Sequence, residues 1–226
     1  MPPFAVHCGM PDEKSRLARA FGPDVPILSG TDKFKLDVLV PAGIRFILNM
    51  GVCGGLSPPL TIADVGAAVN VVDKAGLVID LQGALLERCA VAAKAKGIII
   101  HPVPWYSSGL LDEADTKGQR SAINARYATR PQCIDDESHF TVAFAAKRNI
   151  PCAVIRPLSD DWSETLPLEA RGAIMNSNGA PNVAYLFKTF RPVDLPMLDK
   201  IALDYGRSLD ALEAVARAIA PALLAA

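Results

Sequence analysis

Short apolar runs alternate with stretches of helical periodicity along this chain, and no other property narrows its possible folds as far. Phe4 to Cys8 and Val25 to Leu28 read as strands, and Asp12 to Phe21 and Lys33 to Val40 as helices. Arg45 to Met50 is an apolar strand running straight into a glycine turn, Gly51-Val52-Cys53-Gly54-Gly55, and Val65 to Val72 is another strand. Gly83 to Lys96 has the pattern of an amphipathic helix, with Gly97 available for a left-handed cap, and Ile98 to Val103 resumes the sheet. A polar connecting segment, Tyr106 to Arg130, precedes a helix over Glu137 to Asn149 and a strand over Pro151 to Leu158. Helix returns from Leu195 to Leu224, where Leu209, Leu212, Val215 and Ile219 share one face suited to a core or a partner chain. This alternation predicts an α/β fold, a central mostly parallel or mixed sheet flanked by helices on both faces, with ligand groups at the carboxyl ends of strands. The expectation is a single domain over residues 1–226, with Ser163 to Pro192 as an excursion within it.

A chain of 226 residues, half of them hydrophobic, can bury a sizeable core. Its net charge of -1 gives no bulk attraction to nucleic acid or to an anionic membrane. Cys8, Cys53, Cys89, Cys133 and Cys152 form no Cys-x-x-Cys pair, which fits a reduced, cytoplasmic setting better than a disulfide framework or a zinc site. The amino terminus has no signal-like pattern, and no apolar run reaches the roughly 18 to 20 residues that span a bilayer. His7, His101 and His139 lack metal-ligand spacing, so no metal and no cofactor is expected. The glycine turn is not the dinucleotide fingerprint, and no Gly-x-Ser-x-Gly elbow is present.

The residues suited to chemistry are acidic and sit at element ends. The glycine turn can present N–H groups to a planar or anionic ligand, or be a plain turn. Asp160 and Asp161, after the strand Pro151 to Leu158 and beside Ser159, suit a partly desolvated proton donor as well as a helix cap. Asp135, Asp136 and Glu137 at a helix start gain from the helix dipole, and a pocket carboxylate there would also accept the adjacent hydroxyls of a ribose. Glu13 follows the first strand, where it suits a general base or a first-turn helix acid. Trp105 and Tyr106, within His101 to Ser108, are a candidate pocket wall or simply core packing.

Taken together, Asn49-Met50-Gly51-Val52-Cys53-Gly54-Gly55-Leu56, Ile134-Asp135-Asp136-Glu137-Ser138 and Ile155-Arg156-Pro157-Leu158-Ser159-Asp160 resemble the three signatures of the purine nucleoside phosphorylase and methylthioadenosine/adenosylhomocysteine nucleosidase superfamily, in order and spacing. Asp136-Glu137-Ser138-His139 and the tail from Leu166-Pro167 resemble the hopanoid-associated phosphorylases most closely.

The resemblance implies a nucleoside phosphorylase-like fold, a homo-oligomer, and cleavage of the N-glycosidic bond of a purine, adenine-type, nucleoside by phosphate or by water. It implies that Asp160 protonates N7 of the base with Ser159 holding its carboxyl. Glu137, with Asp136 beside it, would take the ribose hydroxyls, and Val52, Cys53 and Gly54 would line the base and nucleophile sites. Glu13 aligns with the glutamate that activates water. Asp136 stands where the family carries methionine, and Asn49 and Val52 stand where hexameric phosphorylases carry arginine and serine to grip phosphate. Gly30, Thr31 and Lys33 are then the substitute phosphate loop, with Asp32 working against an anion. The competing expectation is a purine-binding relative that has lost catalysis.

Overall fold

The structure, a computed structural model, describes residues 3–81, 83–108, 114, 116–165 and 195–225. Its strands are β1 (Phe4–Cys8), β2 (Ile27–Ser29), β3 (Phe46–Met50), β4 (Cys53–Gly55), β5 (Val65–Asp73), β6 (Val78–Asp80), β7 (Ile100–Ser107), β8 (Cys133–Asp135) and β9 (Cys152–Asp160). They pair in the order β2-β1-β3-β9-β4-β8-β7-β5-β6, and β9 pairs with β5 as well. That extra pairing closes β9, β4, β8, β7 and β5 into a barrel-like ring, from which β3, β1 and β2 extend as a parallel wing.

The fold is α/β with a mixed sheet flanked by helices, as expected, and what departs from expectation is that the sheet is closed. β5 runs antiparallel to β9, with Gly66 opposite Arg156, and β4 runs antiparallel to β8, with Gly54 opposite Ile134. β9 is the shared wall. Its first half pairs with β3, its last residues pair with β4, and β3 and β4 lie on one edge of it, broken only at Gly51-Val52.

Both faces of β1 and β3 are covered, which is why they read as continuous apolar runs. Phe4, Val6, Cys8, Phe46, Leu48 and Met50 join one buried cluster with Leu17 and Phe21 of α1 (Pro11–Phe21) and Leu212, Val215 and Ile219 of the long carboxy-terminal helix. Ala5 and Ile47 join a second cluster with Val142, Phe144 and Ala145. The helices are thus α1, α3 (Ala84–Lys94) and α6 (Leu195–Leu224) on one side, and α2 (Leu36–Leu39) and α5 (Ser138–Arg148) on the other, with α4 (Lys117–Arg126) near the mouth of the ring. The predicted stripe of α6 is buried, and truncating Leu212 to alanine would cost about 2–5 kcal/mol.

Several local expectations are refined. Lys33 to Val40 is not one helix: a 3-10 turn, Gly30–Lys35, runs into the single turn of α2. Gly97 is left-handed at φ +78° as predicted, and the Ile98 amide donates to the Ala93 carbonyl. The segment Tyr106 to Arg130 is not simply a polar connection. β7 continues through Ser107, and α4 opens on a capping box in which Thr116 and Gln119 satisfy each other's amides. β9 extends through Asp160, so Asp160 is the last residue of the strand rather than the second one past it. Most of the excursion Ser163 to Pro192, with the Leu166-Pro167 tail, lies outside the described residues. Among the described residues no helix is long and apolar enough to cross a membrane.

Candidate active site

The carboxyl ends of β1, β3 and β8 meet the middle of β9 around one buried guanidinium. Arg156 is 1% exposed, a position that a charged side chain holds only with partners on every side. Its Nε donates to Asn49 Oδ1 at 2.8 Å and lies 3.2 Å from Asp135 Oδ2. Its Nη1 donates to the Val52 carbonyl at 2.8 Å, and its Nη2 to Glu137 Oε2 at 3.1 Å. Burial works against the charge, but Asp135, Glu137 and Glu13 more than offset it and hold Arg156 firmly protonated.

Glu13 is also 1% exposed. One carboxylate oxygen accepts the amides of Gly9 at 2.7 Å and Met10 at 2.8 Å, closing the first turn of α1. The other accepts the Val52 amide at 2.7 Å, across the sheet from β3. Glu13 is therefore the first-turn helix acid that the sequence allowed, and it also ties α1 to the turn after β3. Burial pushes its carboxyl up, while Arg156 and the three N–H bonds pull the other way.

Glycines make room for this packing. A Cβ on Gly51 would fall 2.7 Å from Glu13 Oε1 and 2.8 Å from Arg156 Nη1, and one on Gly9 would fall 2.8 Å from Glu137 Oε1. Of the two uses open to the glycine turn, ligand-facing amides and a plain turn, the Val52 peptide follows the second. The Val52 amide is spent on Glu13 and its carbonyl on Arg156, so neither is offered to a ligand. Cys53 directs its thiol at the carbonyls of Arg156 and Pro157, inside the barrel wall.

Asp135 is the anchor of the second acidic segment. It accepts Trp105 Nε1 at 2.9 Å, Ser107 Oγ at 2.8 Å and the Ser138 amide at 3.0 Å. Although burial opposes it, Arg156 and these donors hold the Asp135 carboxyl below the usual range. Trp105 and Tyr106 are fully buried, so they are core and not a pocket wall. Asp136 accepts the Ser108 hydroxyl, and burial pushes its carboxyl up. Burial also pushes Glu137 up to about 8, with Arg156 opposing and Asp135, Asp136 and Glu13 adding. Beneath Arg156, Asn49 Nδ2 donates to Thr141 Oγ1 at 2.9 Å, and Thr141 lies 2.6 Å from His7 Nδ1. Burial takes His7 down to about 3, so it is neutral, and this network fixes which way the Asn49 amide faces.

Asp160 sits four residues farther along β9, past an irregularity at Ser159 in the pairing with β4, where Cys53 lies opposite Leu158 and Gly54 opposite Asp160. Its Oδ2 is 2.5 Å from Nη2 of Arg120, which is 1% exposed, and its Oδ1 is 2.9 Å from Ser159 Oγ. The Ser159 hydroxyl is also 3.2 Å from the Cys53 carbonyl and can serve either acceptor. Gly54 lies alongside, where a Cβ would fall 2.9 Å from Asp160 Oδ2. Asp161 is a local cap, accepting the Ser163 amide at 2.7 Å.

In the loop predicted for phosphate, Asp32 accepts the Ser29 amide at 3.1 Å, and the Lys33 ammonium lies over the rings of Phe34 and Phe140 at 5.5 Å and 5.2 Å. Gly30, at φ +60°, adopts a left-handed backbone beside the Gly9 carbonyl, and Thr31 follows it within the turn. Among the described residues no cluster of His, Cys, Asp or Glu is arranged to hold a metal ion.

Sequence reasoning brought Glu13, Glu137, Asp136, Asp160 and Ser159 to notice, and missed Arg120 and the central place of Arg156. A charged residue in the apolar run Pro151 to Leu158 was the available signal for Arg156. Arg120 had none, because its partners are distant in sequence.

This closed sheet and its helical layers define a fold of the purine nucleosidase type. The chain is similar to the futalosine hydrolase of Helicobacter pylori strain 26695, with a TM-score of 0.65 and 15% identity over 95% of this chain and 98% of that one. It is similar also to the 5′-methylthioadenosine/S-adenosylhomocysteine nucleosidase of Colwellia psychrerythraea 34H, solved in complex with adenine, with a TM-score of 0.69 and 13% identity over 99% and 96% of the two chains. A mutant of the Helicobacter pylori nucleosidase, with 5′-methylthioadenosine in its active site, matches at a TM-score of 0.64 and 15% identity over 95% and 98%. No family model and no curated protein matches the chain.

Proposed function

We propose that this protein cleaves the N-glycosidic bond of a purine nucleoside, with water as the nucleophile. The observation that carries the reading is the placement of Glu13, held by three amides against the same guanidinium that binds Glu137. A carboxylate raised by burial and held rigidly is poised to take a proton from water. Arg156 is already engaged by Asn49, Asp135, Glu137 and the Val52 carbonyl, so it is not free to grip a phosphate dianion, which favours a neutral nucleophile.

In the proposed sequence Glu137 accepts the ribose hydroxyls, and Asp160, which takes up a proton from solvent as the nucleoside binds, passes it to N7 as the C1′–N9 bond breaks and its electron pair passes to the base. The sugar becomes an oxocarbenium ion, water adds to C1′, and Glu13 takes the water proton. Arg120 stabilises the carboxylate left on Asp160, and solvent exchange restores both acids. Release of base from adenosine, inosine, methylthioadenosine and deoxyadenosine, with and without phosphate, tests the reading. Phosphate-independent release of free sugar supports it. A sugar 1-phosphate would replace water by phosphate at the Gly30-Thr31-Lys33 loop, and tight base binding without release would favour the non-catalytic relative. We extend the proposal to a homo-oligomer, on the superfamily resemblance, and to a place near the hopanoid-associated members, on Asp136 to His139.

A further inference from the structure

His7, Asn49 and Arg156 form a polar row across β1, β3 and β9, beneath α5, on a face that is otherwise apolar. His7 lies beside Asn49 in the parallel register, and Ala5, Ile47 and Val154 of the same three strands belong to the core packed against α5.

Every hydrogen in this row has one direction. A guanidinium only donates, so the Asn49 atom that faces Arg156 Nε at 2.8 Å is the carbonyl oxygen, and the amide nitrogen faces Thr141 Oγ1 at 2.9 Å and His7 Nδ1 at 3.4 Å. Thr141 Oγ1 accepts from Asn49 and has its own hydrogen to give to His7 Nδ1 at 2.6 Å. Nδ1 is therefore bare, and the imidazole proton is on Nε2, which is buried with no partner among the described residues. A buried orphan donor costs stability, and an apolar side chain would avoid that cost. The use of the imidazole lies at the other end of the row.

Two acceptors compete there for the single hydrogen on Arg156 Nε, Asn49 Oδ1 at 2.8 Å and Asp135 Oδ2 at 3.2 Å. Charge favours the carboxylate, yet the neutral amide has the shorter bond. Bonds aligned donor to acceptor polarise one another, so the run from Asn49 through Thr141 to His7 makes the Asn49 carbonyl a better acceptor. A hydroxyl alone would not fix that direction, because Thr141 can donate as well as accept. With Nε on Asn49, Nη2 reaches Glu137 at 3.1 Å and Nη1 reaches the carbonyl of Val52, whose amide Glu13 accepts.

We infer that His7 is a positioning residue: as the terminal acceptor of this row it keeps Arg156 Nε on Asn49 rather than on Asp135, and so holds the guanidinium against Glu137. The inference rests on the nucleoside-cleaving reading, since through Arg156 His7 holds the two carboxylates proposed for the ribose and for water.

His7→Leu removes the terminal acceptor and the orphaned donor together. Its Tm is expected to be kept or raised, while kcat falls about tenfold. The acidic limb of its pH–rate profile is expected to move up by about half a pH unit, because a guanidinium turned towards Asp135 holds Glu137 down less. The other charges facing Glu137, those of Asp135, Asp136 and Glu13, all push it up. His7→Asn puts a carbonyl oxygen where Nδ1 stood, and is expected to recover most of the turnover and the position of the limb while being the less stable of the two. A His7→Leu protein that loses stability but keeps its turnover and its limb contains a merely structural histidine, which overturns the inference. Nitrogen-15 NMR of the histidine-labelled wild-type protein, with His7 assigned by its absence from His7→Asn, reads the tautomer without substrate, and a proton on Nδ1 overturns it too. If His7→Leu does not fold, Thr141→Val leaves His7 to accept from Asn49 directly; a smaller loss in the same direction supports the inference, and full turnover with an unmoved limb overturns it. If the wild-type protein releases no base from any nucleoside, the nucleosidase reading fails by itself, and carbon-13 NMR of the Glu137 carboxyl decides the positioning. An upward shift of its titration in His7→Leu or Thr141→Val upholds the role of His7, and titrations equal to wild type overturn it.

Discussion

A Cβ on Gly51 would lie 2.7 Å from Glu13 Oε1, a separation that real side chains do not tolerate. Neither neighbour can yield, since Glu13 is tied to three amides and Arg156 Nη1 is bound to the Val52 carbonyl. Gly51→Ala is expected to cost about 1–3 kcal/mol and to lower base release by roughly 10²-fold, by wedging the carboxylate from its guanidinium. Gly206→Ala, on α6 with open space around it, is the control and should be neutral or stabilising. Urea denaturation and a base-release assay on both variants decide the matter; equal behaviour would show that the close approach has no consequence.

Glu13→Gln replaces one acceptor by a donor, which must face either the Val52 amide or those of Gly9 and Met10. The orphaned N–H should destabilise the fold by about 1–3 kcal/mol. Turnover should fall by roughly 10²- to 10⁴-fold with base affinity nearly kept, read by steady-state kinetics and calorimetry. Retained hydrolysis in a folded variant would remove Glu13 from its role.

Asp160→Asn removes the proposed proton donor and leaves Arg120 buried opposite an amide. A loss of about 3 kcal/mol is expected, together with a large loss of turnover. Adding Arg120→Met should recover most of the stability and none of the activity. A double variant as unstable as the single one would mean that the two charges are not coupled.

Glu137 carries a pH dependence with a definite sign. Its carboxyl is raised from 4.5 to about 8 in the folded protein, so its contribution to stability is fully present below pH 4.5 and is lost as pH rises towards 8. Glu137→Gln has no such loss and should gain on the wild-type protein by roughly 2–4 kcal/mol between pH 5 and pH 9. Parallel denaturation curves at the two pH values would contradict the raised carboxyl. On the proposed reading of Glu137 as the ribose acceptor, ribose binding strengthens as pH rises towards 8, since the ionised carboxylate is the better acceptor of two hydroxyls.

The sequence and the structure agree where the signal is local. Apolar runs such as Phe46 to Met50, and the helix stripe Leu209, Leu212, Val215 and Ile219, are periodic because they face clusters of neighbours, so pattern alone finds them. Closure of the barrel was not legible, because it depends on Gly66 meeting Arg156 edge to edge, and nothing in either segment announces an antiparallel partner. α4 was missed although Thr116 and Gln119 carry a capping box, since its polar surface lacks a clear apolar stripe. Glu13 and Asp160 stood out as acids at strand ends. The arginines beside them did not, because a charge inside an apolar strand or on a polar helix shows its partners only after folding. The glycine turn was read for its amides, and what it contributes is the absence of side chains.

Arg156 and Asp160 both belong to β9, which is hydrogen-bonded to β3, β4 and β5 in turn along its length. Such a strand has no low-energy local opening, so its amides should exchange with solvent only through global unfolding. The spacing of the two residues along the backbone is then a fixed gauge, held by a paired strand with its irregularity at Ser159 rather than by a loop. Variation that fits this chain to a larger or smaller substrate has to arise around that gauge, in the segments that approach it from β1, β8 and α4, while the ruler itself stays the same.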